Sequence, residues 1–199
     1  MRLFFGATIP EKTKTQIEKI QEEIRSSFEN VRIEGADKLH ITLQFIGDFP
    51  EDPLDDRKNV ETLFSGVDEE IKRRAFKSSA AEAIGMNYFP GKNLARGIWI
   101  DCRDDGTLGA IAESVKAVTA QFGVVAEGRA FVPHITVARF HGESRRRSGE
   151  NYVDLQKLWS NGKLSIERFF PQSVALFESI LKSSGSEYRV LSEIGLRGE

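Results

Sequence analysis

Strand-like and helix-like stretches alternate along this chain, and one strand–helix–strand unit occurs twice. The sequence therefore predicts a mixed α and β fold built from two similar lobes. Three observations carry that prediction. Apolar residues recur at helical spacing in two long stripes that each follow a strand. Each unit closes on the same four-residue pattern, His40-Ile41-Thr42-Leu43 and His134-Ile135-Thr136-Val137. The units are nearly equal in length, with 37 residues from Leu3 to His40 and 36 from Ile98 to His134.

Residues 2–9 read as a buried strand, and Pro10 suits the first turn of a helix. Ile17, Ile20, Ile24 and Phe28 then mark one apolar helical face. The first motif strand covers about 38–47, and Gly47-Asp48 with Pro50 and Pro53 makes a loop. Val60, Leu63, Phe64, Val67 and Ile71 form a second helical stripe. Residues 76–89 are a long strand, or a strand pair broken near Gly85, before a Pro90-Gly91 turn. Arg96–Cys102 is a strand, and Asp104-Asp105-Gly106 opens a helix carrying Leu108, Ile111, Val115, Val118 and Phe122. The second motif strand covers about 130–140. A polar stretch at 141–150 and a short helix at 151–159 follow. Strands at 163–170, 172–181 and 186–196 close the chain, the last two joined by a Ser184-Gly185 turn. Residues 1–199 are expected to form a single bilobal domain, with the repeated units at about 2–47 and 96–140.

Composition narrows the class. With 199 residues, 40% hydrophobic and 29% charged, the chain is an ordinary globular sequence. A formal net charge of −2 argues against coating nucleic acid through bulk charge, although it leaves room for a local anion site. The single Cys102 excludes an internal disulfide framework and fits a reducing compartment. There is no signal-peptide pattern at the start and no apolar run of transmembrane length, so a cytoplasmic protein is expected.

The doubled pattern carries the chemistry. Side chains alternate between strand faces, so His40 and Thr42 project one way while Ile41 and Leu43 project the other. His134 and Thr136 repeat the arrangement. One match to this pattern arises by chance in roughly one chain in 100 of this length, and two in about one in 10,000. A pair of coincidental structural histidines is therefore the weaker explanation, the more so because the chain has only three histidines. An imidazole can be neutral or protonated near neutral pH, so two of them can serve as general base and general acid. Threonine hydroxyls on the same face can donate to the oxygens of a tetrahedral anion as charge builds there. No metal or cofactor is required by this scheme, and none of the usual metal-ligand spacings occurs. Other signals compete poorly. Cys102 lies mid-strand as an inert buried thiol. His141 stands alone in a loop, and Arg145, Arg146 and Arg147 read first as a solvated charged loop.

These residues resemble the two-histidine phosphoesterases, and within them the RNA 2′,3′-cyclic phosphodiesterases, also named 2′-5′ RNA ligases. Arg2-Leu3-Phe4-Phe5 resembles the family's opening strand, Leu39–Gly47 its first motif strand, and Gly97-Ile98-Trp99-Ile100 its mid-chain strand. Phe131–Arg139 carries the proline before the second histidine and the arginine after it. Val174–Ser179 with Gly185 and Tyr188 is similar to the closing strand pair. The resemblance implies an α+β bilobal fold, two pseudo-symmetric lobes each with a mainly antiparallel sheet flanked by helices, and an active site in the cleft between the sheets. It implies metal-independent hydrolysis of RNA 2′,3′-cyclic phosphate ends to 2′-phosphate. His40 would be proton donor to the leaving 3′ oxygen and His134 proton acceptor from water. Thr42 and Thr136 would bind the phosphoryl oxygens, and Arg139 would add a charge-assisted contact to the substrate phosphate. The partners implied are RNA 3′ ends or nucleotides carrying a cyclic phosphate, with no membrane, no obligate protein partner and a monomeric state.

Arg139 sets a geometric condition. It lies five residues after His134, so strict alternation puts it on the opposite face. It reaches the cleft only if the strand bends, bulges or ends first; in a regular strand it is a structural ion-pair residue. The segment 141–150 is longer and more basic than a minimal connection needs, and the acidic loop 48–56 is not one to embrace RNA. Two other functions compete. One is a phosphodiesterase for 2′-5′ oligonucleotides or small cyclic phosphates, with minor reverse ligation. The other is a module that binds RNA ends without turnover, which would not need two titrating groups.

Overall fold

The computed structural model describes residues 1–50, 52, 55, 58–89, 94–125, 128, 130–140, 146–147, 155–160, 165–183 and 185–196. Its elements are β1 (Arg2–Thr8), α1 (Glu11–Ser27), β2 (Val31–Ile33), β3 (His40–Asp48), α2 (Val60–Arg73), β4 (Glu82–Phe89), β5 (Leu94–Ala95) and β6 (Gly97–Arg103). Then come α3 (Thr107–Gln121), β7 (His134–Phe140), β8 (Arg146–Arg147), α4 (Leu155–Ser160), β9 (Ser173–Lys182) and β10 (Gly185–Gly195). Helices α2 and α3 start where the sequence supplies acceptors for otherwise unpaired N–H groups. Asn59 accepts from the amides of Glu61 and Thr62 at the head of α2. Asp104 accepts from Leu108 and Asp105 from Thr107 at the head of α3. Ile17, Ile20 and Ile24 of α1 are wholly buried, each contributing about 1.5–3 kcal/mol by leaving water.

The protein is α+β, with an antiparallel sheet of order β10-β9-β1-β3-β7-β6-β4, and β2 lies beside β7. One half comprises β10, β9, β1 and β3; the other comprises β7, β6, β4 and β2. The halves meet at one registered pair, Ile41 opposite Ile135. Both side chains are fully buried. Each long helix crosses to brace the other half: α1 packs on β7 and β2, and α3 packs on β3 and α2. A core of Leu, Ile, Val and Phe side chains fills the helix side of the sheet. A smaller cluster of Phe4, Ala175 and Phe177, edged by Tyr188, lies on the other side.

The two motif strands pair with their inner neighbours in the same way. In one half Gly6, Ala7 and Thr8 face Thr42, Ile41 and His40; in the other Trp99, Ile100 and Asp101 face Thr136, Ile135 and His134. By this register Phe5, rather than Leu3, takes the place of Ile98. Immediately beyond, both pairs slip by one residue, leaving Leu43 and Val137 without partners. Each slip is a β-bulge, and it resets which face the following side chains occupy.

The expected strand at 163–170 is not present where the structure describes that stretch. Residues 165–170 form only an isolated bridge between Phe169 and Ala81, because Phe169 is buried while Phe170 is exposed and Pro171 follows. The stretch 76–89 forms a strand only from Glu82, with a bulge between Ala83 and Gly85. The short strands β2, β5 and β8 carry too few residues for a period to be seen. Pro53, the Pro90-Gly91 turn, Ser184, the start of the helix at 151–159 and most of 141–150, including His141 and Arg145, lie outside the described residues. No helix is long and apolar enough to cross a membrane among the described residues.

Gln21 latches α1 to the second bulge. Its buried side-chain amide donates to the carbonyls of Glu34, at 2.7 Å, and Val137, at 2.9 Å. Gln21→Leu removes both donors and is expected to cost about 1–3 kcal/mol of stability in urea denaturation. An unchanged midpoint would show that the latch holds nothing.

Candidate active site

The four motif side chains converge on the cleft face. In both strands the histidine and threonine are partly exposed while Ile41, Leu43, Ile135 and Val137 are buried. An antiparallel run through Ile41 and Ile135 sets His40 across from Thr136 and Thr42 across from His134. The two histidines are then diagonal neighbours across the seam.

Both rings are oriented alike by backbone. Nδ1 of His40 lies 2.6 Å from the carbonyl of Lys38, and Nδ1 of His134 lies 2.8 Å from the carbonyl of Val132. A carbonyl only accepts, so Nδ1 carries hydrogen in each case and Nε2 is left for chemistry. The Thr42 hydroxyl sits 3.0 Å from His40 Nε2. The rings are wedged by aromatics: Phe4, Phe177 and Tyr188 surround His40 at centroid distances of 4.9, 5.3 and 5.5 Å. Trp99 lies 4.3 Å from His134 and stacks on Phe89. The indole N–H of Trp99 is buried and has no hydrogen-bond partner among the described residues.

The electrostatics of the two histidines differ. Burial lowers His40 to about 4; nearby His134 and Arg139 push the same way, against the Lys38 carbonyl. Burial also lowers His134, opposed by the Val132 carbonyl and by the charge of Asp101. The difference follows from register, since Asp101 faces His134 where Thr8 faces His40. Each ring is felt by Arg139, and the charge of His134 is felt at His40, so these groups share one enclosure.

Arg139 meets both of the alternatives posed by the sequence. The bulge at Val137 makes Val137 and Ala138 consecutively buried and returns Arg139 to the histidine face. There it lies over the Phe89 ring at 5.5 Å, close enough for its charge to act on Tyr188. It is also ion-paired, its Nε donating to the buried carboxylate of Glu34 at 2.7 Å. That carboxylate fixes the guanidinium while leaving its charge directed at the cleft.

Sequence reasoning passed over Phe45. It stands five residues after His40, as Arg139 stands five after His134, and that equal spacing was the available signal. The bulge at Leu43 is followed by Phe45 packing 5.8 Å from Phe4 while remaining 56% exposed. Phe45, Thr42, Trp99, Phe131 and His134 line a cavity of about 280 Å³. Cys102 is buried, and burial pushes its thiol up to about 12, which makes it unreactive.

Known proteins share this sequence pattern and fold. Residues 8–99 match the family model of the LigT like phosphoesterases. A Methanocaldococcus jannaschii protein named RNA 2′,3′-cyclic phosphodiesterase is 25% identical over 97% of this chain and 99% of its own length. A Thermus thermophilus protein of the same name is 27% identical over 100% of this chain and 92% of its own. Among solved structures, TT0787 of Thermus thermophilus superposes with a TM-score of 0.75 at 26% identity, covering 100% of both chains. E. coli LigT complexed with 3′-AMP shares the fold, with a TM-score of 0.68 at 20% identity over 98% of this chain and 97% of its own.

Gly6 provides space for His40. A Cβ at this position would lie 2.9 Å from His40 Cδ2 and 3.2 Å from the Phe177 ring. The imidazole cannot yield without breaking its Lys38 or Thr42 contact. Gly6→Ala is therefore expected to cost about 1–3 kcal/mol and to raise the His40 pKa toward the ordinary imidazole value as the ring is displaced into solvent. An NMR titration checks this; an unaltered His40 curve at unaltered stability would mean the ring is not confined by Gly6.

Proposed function

We propose that this chain, which is similar to the LigT like phosphoesterases, hydrolyses 2′,3′-cyclic phosphates at RNA 3′ ends to 2′-phosphates. The observation that supports this reading most strongly is the pair of imidazoles, each with Nε2 free of the backbone, flanking the one point where the two half-sheets meet. In-line displacement at phosphorus needs a base on one side and an acid on the other. Water attacks as His134 Nε2 takes its proton and the new P–O bond forms. The bond from phosphorus to the 3′ oxygen breaks as His40 Nε2 delivers a proton to that oxygen. Thr42 and Thr136 donate to the non-bridging oxygens, and Arg139 offsets the charge that builds on them. Phe45 offers an exposed ring on which a base can stack. The chemistry is metal-independent in this reading.

The donor must be protonated, yet burial holds His40 at about 4 in the free protein. An anionic phosphate between the rings reverses that bias, because opposite charge favours the imidazolium. Activity should therefore survive chelator, and His40→Ala or His134→Ala should each lower kcat by roughly 10²–10⁴-fold with the fold intact. Near-full activity in either variant would refute the paired scheme.

The free enzyme sets the profile of kcat/KM. Both histidines titrate below the ordinary imidazole value, so the form with one shared proton is most populated between about 4 and that value. The expected kcat/KM profile is a bell on the acidic side of neutrality whose upper limb falls before pH reaches the ordinary imidazole value. A maximum in alkaline solution would contradict the assignment.

A further inference from the structure

Beside His40 lies a groove of about 270 Å³ that adjoins the cavity next to His134 at Phe45; of its cations the scheme above uses only Arg139. Arg2, Arg32, Arg139, Tyr188, Ser179 and Ser186 line it. They come from β1, β2, β7, β9 and β10, so the groove exists only in the folded sheet. Three guanidinium groups converge in a protein whose formal net charge is −2. Glu34 is the carboxylate set against them; it is buried, 2.7 Å from Arg139 and 3.8 Å from Arg32. The side chains of Arg2, Ser179 and Ser186 have no hydrogen-bond or ion-pair partner among the described residues. Arg32 is placed by the backbone beneath it: a Cβ at Gly185, where φ is +119°, would overlap its guanidinium. The groove opens from the reaction centre, because Phe4 and Tyr188 both line it and pack on the His40 ring.

Convergent guanidiniums with hydroxyls beside them bind a phosphate through charge-assisted bonds. In the reaction proposed above one phosphate lies between the histidines, and the next on a polynucleotide is one nucleotide away. Resting on the function proposed above, we infer that this groove is a second anion subsite for the phosphate on the 5′ side of the nucleotide being opened. The protein then prefers cyclic phosphates that end an RNA chain, or that carry a 5′-phosphate, over the bare nucleoside 2′,3′-cyclic phosphate.

Three substrates test this: adenosine 2′,3′-cyclic phosphate, the same compound with a 5′-phosphate, and the dinucleotide ApA ending in a 2′,3′-cyclic phosphate. The wild-type protein is expected to favour the second and third over the first by about tenfold or more in kcat/KM, mainly through KM. Arg2→Ala should lower that ratio about tenfold and Ser186→Ala less, whereas Arg2→Lys should retain part of it. Because the ratio is taken within one preparation, partial misfolding cancels. Equal kcat/KM for all three substrates would overturn the subsite. So would Arg2→Ala lowering all three alike, which would place the reactive phosphate itself in the groove or give Arg2 a structural role. Absence of turnover with every substrate would overturn the proposed function, and the subsite with it.

Discussion

Ile41 and Ile135 touch across the line where the two half-sheets join, and both are sealed from solvent. Beyond that contact β3 continues against β1, while the free edge of β7 passes to β2, so the halves splay and a cleft opens between them. The residues on either side of each isoleucine are a histidine and a threonine. A slip of one residue would drive those polar groups into the core and expose the isoleucines, at a cost of several kcal/mol. Apolar burial behind the sheet thus holds the polar constellation in front of it. The crossing of α1 onto β7 and of α3 onto β3 makes separating the halves expensive as well.

The bulges form the second level of organisation. Without the slip at Val137, Arg139 would point away from the histidines; with it, the guanidinium enters their enclosure. The bulge is held by a buried amide from α1 and by the Glu34 amide, both donating to the Val137 carbonyl. Glu34 also supplies the carboxylate that fixes Arg139. One short connection therefore secures the strand irregularity and aims the charge that the irregularity turns inward.

Much of the site was legible because strand alternation is a local rule. Four residues suffice to show that His40 shares a face with Thr42, and the doubled pattern shows that the arrangement recurs. The helices were equally legible from their stripes, and the heads of α2 and α3 from Asn59, Asp104 and Asp105. Arg139 was only half legible: its bulge depends on Gln21, 116 positions away in sequence, and its ion pair on Glu34, 105 positions away. The place of Phe45 was hidden for the same reason. The groove with Arg2 and Arg32 could not be read at all, since five strands bring its residues together. The strand expected at 163–170 shows the opposite limit, where β-forming composition does not suffice without a partner edge.

The two halves repeat their backbone pairing closely, yet Thr8 stands opposite one histidine and Asp101 opposite the other. Thr8 shares a hydrogen bond with Ser173, whereas Asp101 receives one from Asn87. Strict two-fold equivalence would give the two imidazoles identical surroundings. A single acidic side chain on one wall abolishes that equivalence. The enclosure becomes polar in the sense that a compass needle is, with distinguishable ends.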